Sequence, residues 1–136
     1  MANYNLYNNI DPGSLSSAAS SLSQKLKTSQ SKLTTFNSSL SDGIWKAPAK
    51  ATLKEAFGKI DSEVYTNLLA DLGKAETISG LISKYKTARD NALKYDGYLK
   101  SATKDTPASD ISSWESSKAA EERIMEDCES QINGLL

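Results

Sequence analysis

The chain has 136 residues, about one domain by the usual size range, and only 38% of them are hydrophobic while 24% are charged. Sixteen basic residues against seventeen acidic ones give a formal net charge of −1, which argues against general nucleic-acid binding. With no histidine and one cysteine, Cys128, the composition excludes His-based acid–base catalysis, Ser-His-Asp triads, most zinc sites and an intramolecular disulfide.

Residues 1–10 are polar, Asn-rich and aromatic, and read as an irregular arm without the basic and apolar regions of a Sec signal peptide. Asp11-Pro12 then predicts an N-cap with proline at the first helical position. A heptad stripe follows through Leu15, Ala19, Leu22, Leu26, Ser29, Leu33, Phe36 and Leu40, in alternating steps of four and three. The opposite face is rich in Ser, with Thr, Gln and Lys. Serine is a middling helix former, so this helix should depend on a partner for stability. Asp42-Gly43 predicts its end, giving a helix over about 12–42.

The run Leu40-Ser-Asp-Gly-Ile-Trp-Lys-Ala-Pro-Ala-Lys50 reads as the turn of a helical hairpin, with Trp45 at its centre. A second helix is predicted over about 48–100. Its stripe runs through Leu53, Phe57, Ile60, Val64, Leu68, Leu72, Ala75, Ile78, Ile82 and Tyr85, and more weakly to Leu93. Gly58, Gly73 and Gly80 lie inside it, each costing about 1 kcal/mol relative to alanine, so a bend or break near Gly73–Gly80 is one reading. Residues 101–109, with Pro107, read as a linker. Residues 110–136 form an acidic amphipathic helix, with Ser112-Ser-Trp-Glu115 as a capping-box pattern and a stripe of Ile111, Trp114, Ile124, Cys128, Ile132 and Leu135.

No alternating apolar run bounded by turns predicts a strand. The expected fold is therefore all-α: an elongated antiparallel helical hairpin over residues 11–100, extended by a C-terminal helix. A helix of about 30 residues would span roughly 45 Å. No run approaches the length of a transmembrane helix, so membrane insertion is not expected.

Charge is distributed unevenly. Residues 109–136 carry two basic and seven acidic residues, whereas residues 1–52 carry five Lys and two Asp. Docking of the tail on the body or on a basic partner would use that difference, and a solvated helix face explains it equally. The series Lys84-Tyr85-Lys86, Arg89, Lys94-Tyr95, Tyr98 and Lys100 is diluted by Asp90, Asp96 and Asp105, and reads as a solvated face rather than a strand-binding surface. Glu121-Glu122, Glu126-Asp127 and Glu129 lack the Glu-x-x-His element of carboxylate metal bundles. Cys128 lies on the apolar stripe and reads as a buried thiol. No catalytic residue, metal ligand or cofactor is expected.

The stretch Ile44-Trp-Lys-Ala-Pro-Ala49, followed by Leu53 and Phe57, resembles the turn of the WXG family of small helical-hairpin proteins handled by type VII secretion. Trp45 and Ala49 match, while Ala47 stands at the glycine position, and the likeness covers roughly residues 11–95. The chain is also similar to the longer helical proteins that accompany toxins with an N-terminal LXG domain. Such proteins carry an aromatic-x-x-x-acid export signal, which here would be Phe57-Gly-Lys-Ile-Asp61. Both residues fall on one helix face. The departures are Phe in place of Tyr and a position early in the second helix rather than after it.

The resemblance implies a non-enzymatic partner of the helical domain of a larger secreted toxin, with or without a second small helical protein, presented to the secretion ATPase apparatus. Leu22, Leu26, Leu33, Phe36 and Leu40 are the candidate partner-facing residues. Synthesis would be cytoplasmic, with any export by a route needing no cleaved signal. The alternatives are a homodimeric coiled-coil adaptor and a helical chaperone of another secretion apparatus.

Overall fold

The computed structural model describes residues 2–40 and 48–136. It is all-α, with no strand among the described residues. Helix α1 spans Pro12–Ser39 and α2 spans Ala49–Lys59. A π-helical segment, Ile60–Tyr65, leads without a break into α3, Thr66–Ser101, and α4 spans Ala108–Leu135. The chain forms two compact units: residues 15–76, and residues 1–14 together with 77–136.

In the first unit, α1 runs antiparallel to α2 and the helix that continues it. Phe36 meets Phe57, Gln30 meets Asp61 and Ser29 meets Tyr65, one partner falling in number as the other rises. The start of α1 follows the expected cap: Asp11 Oδ1 accepts the Gly13 N–H at 3.0 Å and Oδ2 accepts the Ser14 hydroxyl at 2.9 Å. These two bonds hold the Asp11 carboxyl below its usual range, the Ser14 hydroxyl being the larger cause. On the polar face, Thr28, Thr34 and Thr35 return their hydroxyls to carbonyls four residues back, sharing acceptors with the helical backbone, which adds to the weakness of a Ser-rich helix. Leu40, fully buried, follows the tightened last turn.

The second helix departs from the expected stripe. Ile60, Val64 and Leu68 are 38%, 45% and 44% exposed, while Asp61, Tyr65 and Leu69 are the half-buried positions. The π-helical turn is the cause. The Thr66 N–H bonds the Asp61 carbonyl five residues back, and the Thr66 hydroxyl joins the same oxygen at 3.0 Å. Widening the turn makes the inward face step 57, 61, 65, 69 in fours before the stripe resumes at Leu72, Ala75 and Ile78. Residues 73–80 stay helical, so the irregularity ends about two turns before Gly73 rather than falling between Gly73 and Gly80.

In the other unit, α4 packs antiparallel on the later part of α3: Tyr98 lies 5.4 Å from Trp114, Asp96 pairs with Lys118 and Asn91 with Glu121. Across this contact the acid is on α3 and the base on α4, opposite to a simple docking of an acidic tail on a basic body. Helix α4 begins at Ala108, directly after Pro107, so Ser112–Glu115 lies inside the helix instead of capping it. Proline's fixed φ suits a helix entry, and the first-turn Asp110 complements the helix dipole. The core joins Ala2, Tyr85, Ala88, Ala92, Met125 and Cys128, with Tyr4, Leu6 and Tyr7 of the arm packed against it.

Candidate functional site

The Phe57–Asp61 pair faces α1. Phe57 meets Phe36 edge-to-face at 5.2 Å between ring centres, and the Asp61 carboxylate accepts the Gln30 amide at 2.7 Å. One turn on, Tyr65 shares a 2.7 Å hydrogen bond with Ser29. Phe57 and Asp61 are therefore half-buried seam residues as well as neighbours on one face. The π-helix begins between them, at Ile60, so the candidate signal spans the local irregularity. Periodicity could not reveal this, because a wide turn changes which residues face inward without changing composition.

The partner-facing candidates on α1 divide. Leu22 is 51% exposed and Phe36 36% exposed, Leu26 and Leu33 are half-buried, and Leu40 is fully buried. Leu22 and Phe36 thus retain apolar surface for a partner, and Leu40 belongs to the interior. The exposed row Ile60, Val64 and Leu68, spaced by four, adds apolar surface at positions that the sequence stripe of the second helix puts inside. Trp45 lies outside the described residues.

The basic and aromatic series of α3 has a different occupation. The Tyr85 hydroxyl donates to the Asn3 carbonyl and accepts the Leu6 N–H at 3.2 Å, and its ring meets Tyr7 edge-on at 5.1 Å. Lys86 donates to the Ile10 carbonyl, Arg89 to Asn8 Oδ1 at 3.0 Å, and Ser79 to the Pro12 carbonyl. Donors along one side of α3 thereby satisfy the irregular backbone of residues 3–12, which has no ladder of its own. Tyr7 takes a left-handed φ of 58°, uncommon for a tyrosine, where the arm turns over this surface. The sequence marked the arm as aromatic, but gave no periodic signal of where it would lie.

Beside Tyr4 a surface hollow is lined by Ala2, Leu93, Asp96, Lys118 and Glu122. Its charges already answer one another: Asp96 meets Lys100 at 2.7 Å and Lys118 at 3.0 Å, and Lys118 lies 3.8 Å from Glu122. Hydrogen bonds from Lys100 and then Lys118 hold the Asp96 carboxyl low. Burial, followed by the adjacent Glu122, pushes the Tyr4 phenol up. Burial also raises the Cys128 thiol, away from the thiolate that nucleophilic chemistry uses. This group of charges acts as a clamp between two helices.

Among the described residues, no group of three or more His, Cys, Asp or Glu side chains is placed to hold a metal ion, and no helix is long and apolar enough to cross a membrane. No family model, curated protein or solved structure matches the chain.

Proposed function

We propose that this chain is a non-enzymatic accessory partner that binds the helical N-terminal domain of a larger LXG-type toxin and promotes its export by a type VII secretion system. The reading rests on the resemblance of the hairpin turn and of Phe57–Asp61 to the WXG-like partner proteins. Its chief structural support is the apolar surface that the hairpin leaves open at Leu22, Ile60, Val64 and Leu68. A helix laid along such residues would bury area worth about 25 cal/mol per Å², less the cost of association and ordering. Helix-in-groove recognition uses apolar anchors at this spacing.

Within this reading Phe57 and Asp61 form a composite export signal, and the Asp61 carboxylate contributes charge as well as its bond to Gln30. The substitution Asp61→Asn separates the two roles, because the amide oxygen still accepts from Gln30 while the charge is gone. Secretion of the cargo should stop, with helicity and cargo binding retained. Export at the parental level would remove Asp61 from the signal.

A further inference from the structure

We propose that the wide turn at Ile60–Tyr65 is a register switch, able to move along the helix and exchange which of two side-chain rows faces α1. Phe57 and Leu72 are both inward, with fifteen residue steps and four turns between them. A regular α-helix needs slightly fewer residues for four turns, and in the structure one wide turn takes up the difference. Placed at Ile60–Tyr65, as in the structure, it brings Asp61, Tyr65 and Leu69 toward α1 and leaves Ile60, Val64 and Leu68 outside. Placed about one turn later, it would bring residues 57, 60, 64 and 68 inward and reverse the two rows. Neither end of the interval has to move.

The two registers have opposing advantages. The observed one is held by Gln30 on Asp61 and Ser29 on Tyr65, and by Thr66 closing on the Asp61 carbonyl. The alternative gives up those bonds and turns Tyr65 and Leu69 outward, and buries three large apolar side chains that are now more than one-third exposed. Just beyond the later position, a side chain built at Gly73 would point into open space. The switch therefore sets whether the segment shows an apolar row or a polar one to its surroundings. It does not depend on the identity of any partner.

The test compares maleimide labelling of Leu68→Cys and Leu69→Cys proteins, with the buried Cys128 left in place. In the parent background Leu68→Cys should react faster. Adding Gln30→Leu deprives Asp61 of its partner and should lower the Leu68:Leu69 rate ratio by about fivefold, a change on the scale of 1 kcal/mol. Deleting Ser62 removes the surplus residue while keeping the observed face inward, and should raise the ratio or leave it high. Circular dichroism verifies folding in each case, and Gln30→Ala replaces Gln30→Leu if the latter loses helicity. A ratio unchanged by the Gln30 substitution in a folded protein would overturn the switch, as would a ratio that the deletion lowers.

Discussion

The Tyr85 hydroxyl stands between a carbonyl and an N–H of the arm, so one side-chain oxygen satisfies two backbone groups about eighty residues away in sequence. Tyr85→Phe keeps the ring and its contact with Tyr7 but removes both bonds. The expected loss is about 1–3 kcal/mol if those groups stay buried, and less if the arm lifts to reach water. Amide exchange at Leu6 should accelerate in the variant; unchanged exchange would show that the ring alone holds the arm. Asp96 gives a second residue-scale expectation. Its folded pKa is lowered, so its stabilising contribution is present above the ordinary carboxylate range and is lost as pH falls through the lowered value. Asp11 contributes with the same sign. Melting temperature should therefore drop on acidification below about pH 4, and Asp96→Asn should flatten that drop. An equally steep drop in the variant would place the sensitivity elsewhere.

At the scale of the element, the π-helical turn decides the character of the hairpin. A carboxylate–amide bond and an exposed hydroxyl pair together contribute about 2–4 kcal/mol. Full burial of Ile, Val and Leu side chains is worth about 1.5–3 kcal/mol each, of which less than half remains to be gained here. Turning Tyr65 and Leu69 outward offsets part of that gain, so the observed face is the favoured one. Deleting Ser62 should leave helicity unchanged and hold or raise the melting temperature, since it restores heptad steps beneath the same inward residues. Deleting Lys74, in the regular part of α3, should lower it. Equal effects of the two deletions would mean that the wide turn carries no surplus residue. On α1, Leu33→Asp puts a charge in the half-buried seam and should cost either the hairpin or its complex with a partner; unchanged helicity together with unchanged complex formation would remove Leu33 from both.

The same element shows what the sequence could disclose. Three-four spacing from Leu15 to Leu40, and again beyond Leu72, was enough to give the all-α class and the antiparallel hairpin. Between them Ile60, Val64 and Leu68 offered an equally regular stripe, yet hydrogen bonds with Gln30 and Ser29, remote in sequence, support a different phase. Local periodicity carries no information about such long-range bonds. The seat of the arm on Tyr85 was hidden for the same reason, since donors at 79, 85, 86 and 89 have no meaning until α3 is laid beside residues 3–12. Cys128 was legible as a buried thiol because its neighbours Ile124 and Ile132 share its stripe.

Across the whole molecule, two compact units divide the work differently from the linear order of hairpin and tail. The N-terminal arm and α4 both pack in the unit containing the later part of α3, where most of the buried side chains among the described residues lie. The unit of residues 15–76 holds the Phe57–Asp61 pair and, among the described residues, carries five of the nine exposed large apolar side chains. A protein built to present a helical surface to another helical protein would be expected to have this contrast between a closed part and an open one. The most direct measurement is co-expression with the product of any neighbouring gene that encodes an LXG-type toxin, followed by purification on a tag carried by that product alone. The proposed function predicts a stoichiometric complex that Leu33→Asp or a charge at Val64 weakens. A chain that purifies only by itself, as monomer or homodimer, while the toxin's helical domain is folded and present in excess, would contradict it.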